Sequence, residues 1–186
     1  MSFITHARLR CENLSRQLAL IGVYVLLATA VLVSVDVIVR KIFNVALVGI
    51  DELGGYALAL ATSWALSYAF FEGAHIRVNV VHMTLPKPAK AWLDVLAVFV
   101  SAILIAVLAW QVWILAFDSW EFDAVSNTPL RVPMWIPQFL YLAGVVLFLI
   151  SAILVFVEST CLVLRGKYDE TIDLIEETEQ AGEYTL

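Results

Sequence analysis

Asp36 and Arg40 stand four residues apart near the end of an otherwise uncharged run, a spacing that places an acid and a base on one face of a helix. An ionisable group inside a membrane span is the usual mark of a proton or ion pathway. This pair lies toward the end of its run, where Arg40 can extend to headgroup level, and it reads as an interfacial ion pair. The histidines offer no more. His6, His75 and His82 all fall outside the apolar runs, so none is placed to ligate a haem between helices, and His75 and His82 have no third ligand nearby for a metal. Cys11 and Cys161 are isolated and form neither a redox motif nor a ligand set. No glycine-rich phosphate loop and no nucleophile with an evident base is present. The sequence assigns no catalytic residue, no cofactor and no metal.

The elements that must carry any function are apolar runs. Gln17 to Val35, Leu53 to Phe71, Val95 to Phe117 and Val132 to Val157 carry no charged residue, and each is long enough to cross a bilayer. A spanning helix needs roughly 20 apolar residues, and backbone in lipid must satisfy its own hydrogen bonds, so these runs read as helices. The composition agrees: 62% of the 186 residues are hydrophobic, 15% are charged and the mean hydropathy is +0.89. A water-soluble core is excluded. The expected class is all-α, an integral membrane protein of four transmembrane helices over about 17–39, 53–71, 92–117 and 134–157. Residues 1–16 form an N-terminal segment, 17–160 the transmembrane domain and 161–186 an acidic tail. Three arginines precede the first run as in a signal peptide, but the run is too long for one and leads into Asp36 and Arg40, so it is expected to stay attached.

Positive charge orients the bundle, because loops retained in the cytoplasm carry the excess of Lys and Arg. Arg8, Arg10, Arg16, Arg77, Lys87, Lys90, Arg165 and Lys167 fall on one side, against Arg40, Lys41 and Arg131 on the other. Both termini are therefore expected in the cytoplasm, with Asp51, Glu52, Asp118, Glu121 and Asp123 facing outward. The net charge of −6 is a property of the tail: residues 168–186 hold Asp169, Glu170, Asp173, Glu176, Glu177, Glu179 and Glu183 with no Lys or Arg. Such a run reads as a solvated end.

The second run carries a spacing signal. Gly55, Ala59, Ser63 and Ser67 recur every four residues, and so do Ala57, Ala61, Ala65 and Ala69 on another face. Small residues let helix backbones approach closely in lipid, where no hydrophobic force drives association. This helix is expected to lie between neighbours on opposite sides.

Three loop segments are more particular than membrane insertion requires. They are Arg40-Lys41-Ile42-Phe43-Asn44 with Asp51-Glu52-Leu53, then Gly73-Ala74-His75-Ile76, and Ser126-Asn127-Thr128-Pro129-Leu130-Arg131-Val132-Pro133-Met134-Trp135-Ile136-Pro137. In this order and at these distances from four spans, they resemble the small membrane subunit of tripartite ATP-independent periplasmic (TRAP) transporters, the DctQ-like family, over roughly residues 15–160. The resemblance implies a non-catalytic subunit of the bacterial or archaeal inner membrane, surrounded by lipid and binding no nucleic acid. Its implied partners are a large M-type subunit that holds the substrate and sodium sites and a periplasmic P-type binding protein that delivers the solute. It would act as a stator, bracing the large subunit, and its outer loops could touch the docked binding protein. The residues proposed for partner contact are Arg40, Glu52, Gly55, Ala59, Ser63, Ser67, His75, Asp118, Trp120, Glu121, Asp123, Ser126 and Asn127. The competing readings are an anchor subunit of a respiratory enzyme, which would want a histidine within a span, and a small self-assembling channel or exporter, which would need a polar path.

Overall fold

A computed structural model describes residues 2–45, 48–72 and 86–180. Among the described residues the regular elements are five α-helices: α1 (Ser2–Phe43), α2 (Ile50–Phe71), α3 (Lys87–Glu121), α4 (Trp135–Leu164) and α5 (Tyr168–Gln180). A single antiparallel bridge joins Val125 and Pro133 between α3 and α4.

The helices do not neighbour one another in chain order. α2 lies between α1 and α4, and α4 lies between α2 and α3, so α1 and α3 occupy the flanks. Each flank is exposed according to its sequence. From Ser15 to Asp36 of α1 the inward positions Ser15, Ala19, Gly22, Leu26, Thr29, Val33 and Asp36, alternating by four and three residues, are buried or half-buried, which is a narrow seam facing mainly one neighbour. The rest of α1, with Leu20, Val23, Leu27, Val31 and Ile38, is exposed and apolar, as is the outer side of α3 with Leu104, Val107 and Trp110. In water this arrangement would be unstable; against hydrocarbon it costs nothing.

α1, α3 and α4 are long and apolar enough to cross a membrane. α2 falls short by composition, because Gly54, Gly55, Tyr56, Thr62, Ser63, Ser67 and Tyr68 dilute its apolar residues, although its 22 residues would reach about 33 Å. Its polarity is spent on neighbouring helices. The Ser67 hydroxyl is 2.7 Å from that of Ser15 on α1 and 2.7 Å from that of Ser151 on α4, all three being fully buried. Ser15 and Ser151 also lie within donating distance of their own helices, at the carbonyls of Cys11 and Leu147. Four contacts thus share three hydroxyl protons, with Ser67 as the bridge.

Backbone approach explains the small residues. A Cβ on Gly144 of α4 would lie 2.6 Å from Ser63 Oγ and 2.8 Å from the Ser63 carbonyl carbon, and one on Gly22 of α1 would lie 3.0 Å from Ala61 Cα. The two stripes on α2 therefore serve different neighbours at mid-helix, Ala61 facing α1 and Ser63 facing α4. Between α3 and α4 the core is Ile105, Ala109, Val145, Phe148 and Ala152, with Phe70 of α2 set edge-on to Phe148 at 5.5 Å.

Helical structure also extends into both terminal segments. Residues 2–16 are helical and form the first turns of α1, which at 42 residues would reach about 63 Å, twice a bilayer's hydrocarbon thickness. The expected solvated tail begins as an ordered helix: α5 buries Thr171 and Ile175. The apolar residues responsible, Tyr168, Ile172 and Ile175, recur at helical spacing among the acids.

Candidate partner interface

The α1–α2 and α3–α4 connections meet at one end of the bundle, and Glu52 is where they join. At the first turn of α2 its carboxylate accepts the hydroxyl proton of Thr128 at Oε2 and that of Tyr56, one helical turn on, at Oε1, 2.5 Å away. Because Thr128 gives its proton to Glu52, Ser126 is the donor in the 2.8 Å contact between the two hydroxyls. Tyr56 Oη also lies 3.4 Å from Met134 Sδ. Hydrogen bonds from Thr128 and then Tyr56 hold the Glu52 carboxyl below its ordinary range.

Backbone bonds shape the segment that reaches Glu52. Ser126 N–H donates to Val132 O at 2.9 Å, Met134 N–H to Ala124 O at 2.9 Å and Arg131 N–H to Thr128 O at 3.1 Å, closing a narrow hairpin between α3 and α4. Arg131 takes the left-handed backbone conformation, with φ 47°, at the turn back. Leu130 lies over Gly49, which precedes α2 with φ 86°; a Cβ there would fall 2.1 Å from Leu130 Cδ1, so conformation and space both demand glycine. The Pro133 and Trp135 region then starts α4.

Beside the hairpin, α3 ends in an exposed acidic corner. Ala116 and Ser119 are buried, which turns Asp118, Trp120 and Glu121 outward, and Asp123 follows in the left-handed region with φ 48°. The ring of Trp120 sits edge-on to Phe117 at 6.0 Å, leaving about half of the indole exposed. Asn127 is exposed on the hairpin, whereas Ser126 and Thr128 are half-buried by the Glu52 network.

The other residues named for partner contact are dispersed. Arg40 Nη2 pairs with Asp36 Oδ2 at 2.6 Å; the acid is buried and the guanidinium half-exposed, the geometry of an anchoring pair at a helix end. On α2, Gly55 and Ala59 are exposed, while Ser63 and Ser67 are buried between α1 and α4. The four-residue stripe is thus split: its second half is consumed inside the bundle and only its first half is open. His75 and the Gly73 to Ile76 turn lie outside the described residues.

Tyr56, Thr128 and Met134 complete the Glu52 network; Thr128 and Met134 lie in the Ser126 to Pro137 segment, but none of the three is among the residues proposed for partner contact. Tyr56 carried a signal, being four residues after Glu52 on one helix face. A second polar cluster lies at the opposite end of the bundle. Glu158, buried on α4, lies 2.9 Å from Arg8 Nε and accepts the Thr5 hydroxyl at 3.0 Å, both partners coming from the first turns of α1; Glu12 is 3.7 Å from the same arginine. Its signal was an acid directly following the fourth apolar run.

A family model for tripartite ATP-independent periplasmic transporters, DctQ component, matches residues 29–162, which is more than half of the chain and includes both connections that meet at Glu52. No curated protein and no solved structure matches significantly.

Proposed function

The chain belongs to the DctQ family, the small non-catalytic membrane component of TRAP transporters, and on that premise we propose that it serves as the stator of its complex. In this reading α2 is a fourth span, both termini are cytoplasmic, the membrane is the bacterial or archaeal inner membrane, and the Glu52 end faces the periplasm. The flanking helices α1 and α3 offer broad apolar faces to lipid and to a large M-type subunit, which carries solute and sodium. The observation that carries the reading is the position of α2. Hydroxyl ties and glycine contacts fix it to α1 on one side and α4 on the other, an arrangement suited to a body that braces and not to one that opens a path.

The acidic corner of Asp118, Glu121 and Asp123 with Trp120 fits docking of the periplasmic P-type binding protein, since exposed like charges mainly speed encounter with a complementary partner. Lys at these three positions should slow uptake at limiting binding protein, with relief at higher concentration and unchanged assembly with the large subunit. Unaltered dependence on binding-protein concentration would remove the docking role. The broader reading is tested in vesicles: solute uptake should need this chain, the large subunit and the binding protein together, and sodium-driven uptake by this chain alone would refute it.

A further inference from the structure

We propose that α5 is a strap that clips the ends of α3 and α4 together, closed by its apolar face and placed by the turn before it. The turn is built for reversal. Gly166 takes φ 72°, its N–H donates to Val163 O at 2.9 Å, and Lys167 N–H donates to Leu162 O at 3.1 Å. This pair of bonds is the Schellman arrangement, which ends a helix and sends the chain back across it. α5 then presents Tyr168, Thr171, Ile172 and Ile175 on one face, spaced three and four residues apart.

That face meets both helices. Ala91 and Val95 of α3 and Val163 of α4 form a buried cluster onto which Tyr168 and Ile172 fold, and Thr171 and Ile175 are buried along the same face. A separate bond crosses from the start of α3: Lys87 Nζ lies 2.7 Å from Asp169 Oδ1. Both members of that pair are about two-thirds exposed, so screening by water and salt leaves it little strength, and the apolar face must do the holding. The ion pair sets register. The strap lies beyond the residues matched by the family, and its existence does not depend on the stator reading.

Hydrogen–deuterium exchange on the full chain in lipid nanodiscs tests the strap. Amides of residues 171–175 should be protected in the native chain, lose that protection in Ile175→Asp, and keep it in Lys87→Ala. Amides of residues 145–152 in α4 should stay protected in all three, showing that the bundle remains folded. Free exchange of residues 171–175 in the native chain would overturn the proposal, as would protection that survives Ile175→Asp. Loss of protection in Lys87→Ala would overturn the apolar closure and make the contact a charge-held one.

Discussion

Thr128 donates its hydroxyl proton to Glu52, a residue 76 positions earlier in the chain, and so fastens the α3–α4 hairpin to the head of α2. The bond joins the Asp51 to Leu53 segment to the Ser126 to Pro137 segment, and it gives each a physical reason: an acid at the start of α2 and a hydroxyl in the hairpin.

Thr128→Val should free the hairpin from α2 while leaving the helices folded. The same network fixes a pH response. Glu52 is held below its ordinary value of 4.5, so its contribution is fully present above that value and is lost as pH falls through the lowered folded-state value. A spin label at the exposed Asn127 should therefore be immobile near neutral pH, become mobile in acid, and be mobile at all pH values in Thr128→Val. Identical label mobility in both proteins near neutral pH would contradict the tie.

Glycine positions separate contacts inside the bundle from open surface. Gly144→Ala places a methyl against the Ser63 backbone and should destabilise the bundle by about 1–3 kcal/mol. Gly55→Ala meets nothing within 4 Å, and as a gain in helix propensity should be neutral or stabilising. Leu at Ser63 should likewise separate α2 from α4, whereas Leu at the exposed Ala59 should leave the isolated chain intact. Unfolding in a detergent titration measures all four.

Ser67 should be the most costly of the three bridging serines. With Ser15→Ala or Ser151→Ala, Ser67 still has one hydroxyl neighbour to which it can donate; with Ser67→Ala both interhelical bonds vanish. Interhelical hydrogen bonds in lipid average about 0.6 kcal/mol and reach about 1.7, so Ser67→Ala is expected to cost about 1 kcal/mol and each of the others about half that. A double-mutant cycle between positions 15 and 67 should show coupling; additive costs would mean that the hydroxyls do not communicate.

The Arg8 and Glu158 pair should matter more. Removing one member of a buried pair costs about 3–5 kcal/mol, and Arg8→Ala, which takes the guanidinium away from the buried Glu158 carboxylate, belongs toward the lower end of that range. Glu158→Ala should fall at or below its lower end, because Arg8 is partly exposed and Glu12 is within reach. Thermal stability of the two single variants in lipid, compared in that order, checks the asymmetry.

The sequence made the helical class and the long apolar runs legible, because the absence of charge over such lengths leaves lipid as the only solvent that suits them. It also marked α2 as a helix between neighbours, since small residues on two faces mean close approach on two sides. Which neighbours was not legible: nothing in Ser67 itself points to Ser15 or Ser151, and the pairing of α2 with α4 follows from helix order in space. The same holds for Thr128 with Glu52. α5 was hidden differently, its few apolar residues being outnumbered by carboxylates that composition counts and helical spacing does not. The start of α1 was not legible because Arg8, Arg10 and Arg16 mark a boundary in charge, while the backbone helix runs through it.

The stator account is tested most directly by distance within the bundle during transport. Spin labels at the exposed positions Leu27 on α1 and Ile150 on α4, in the complex reconstituted with the large subunit and binding protein, report whether this chain deforms. Pulsed electron resonance should give the same distance distribution with and without sodium and solute, while labels on the moving part of the large subunit shift relative to Leu27. A change in the Leu27 to Ile150 distance with transport state would show that the chain moves as part of the mechanism and would contradict the account.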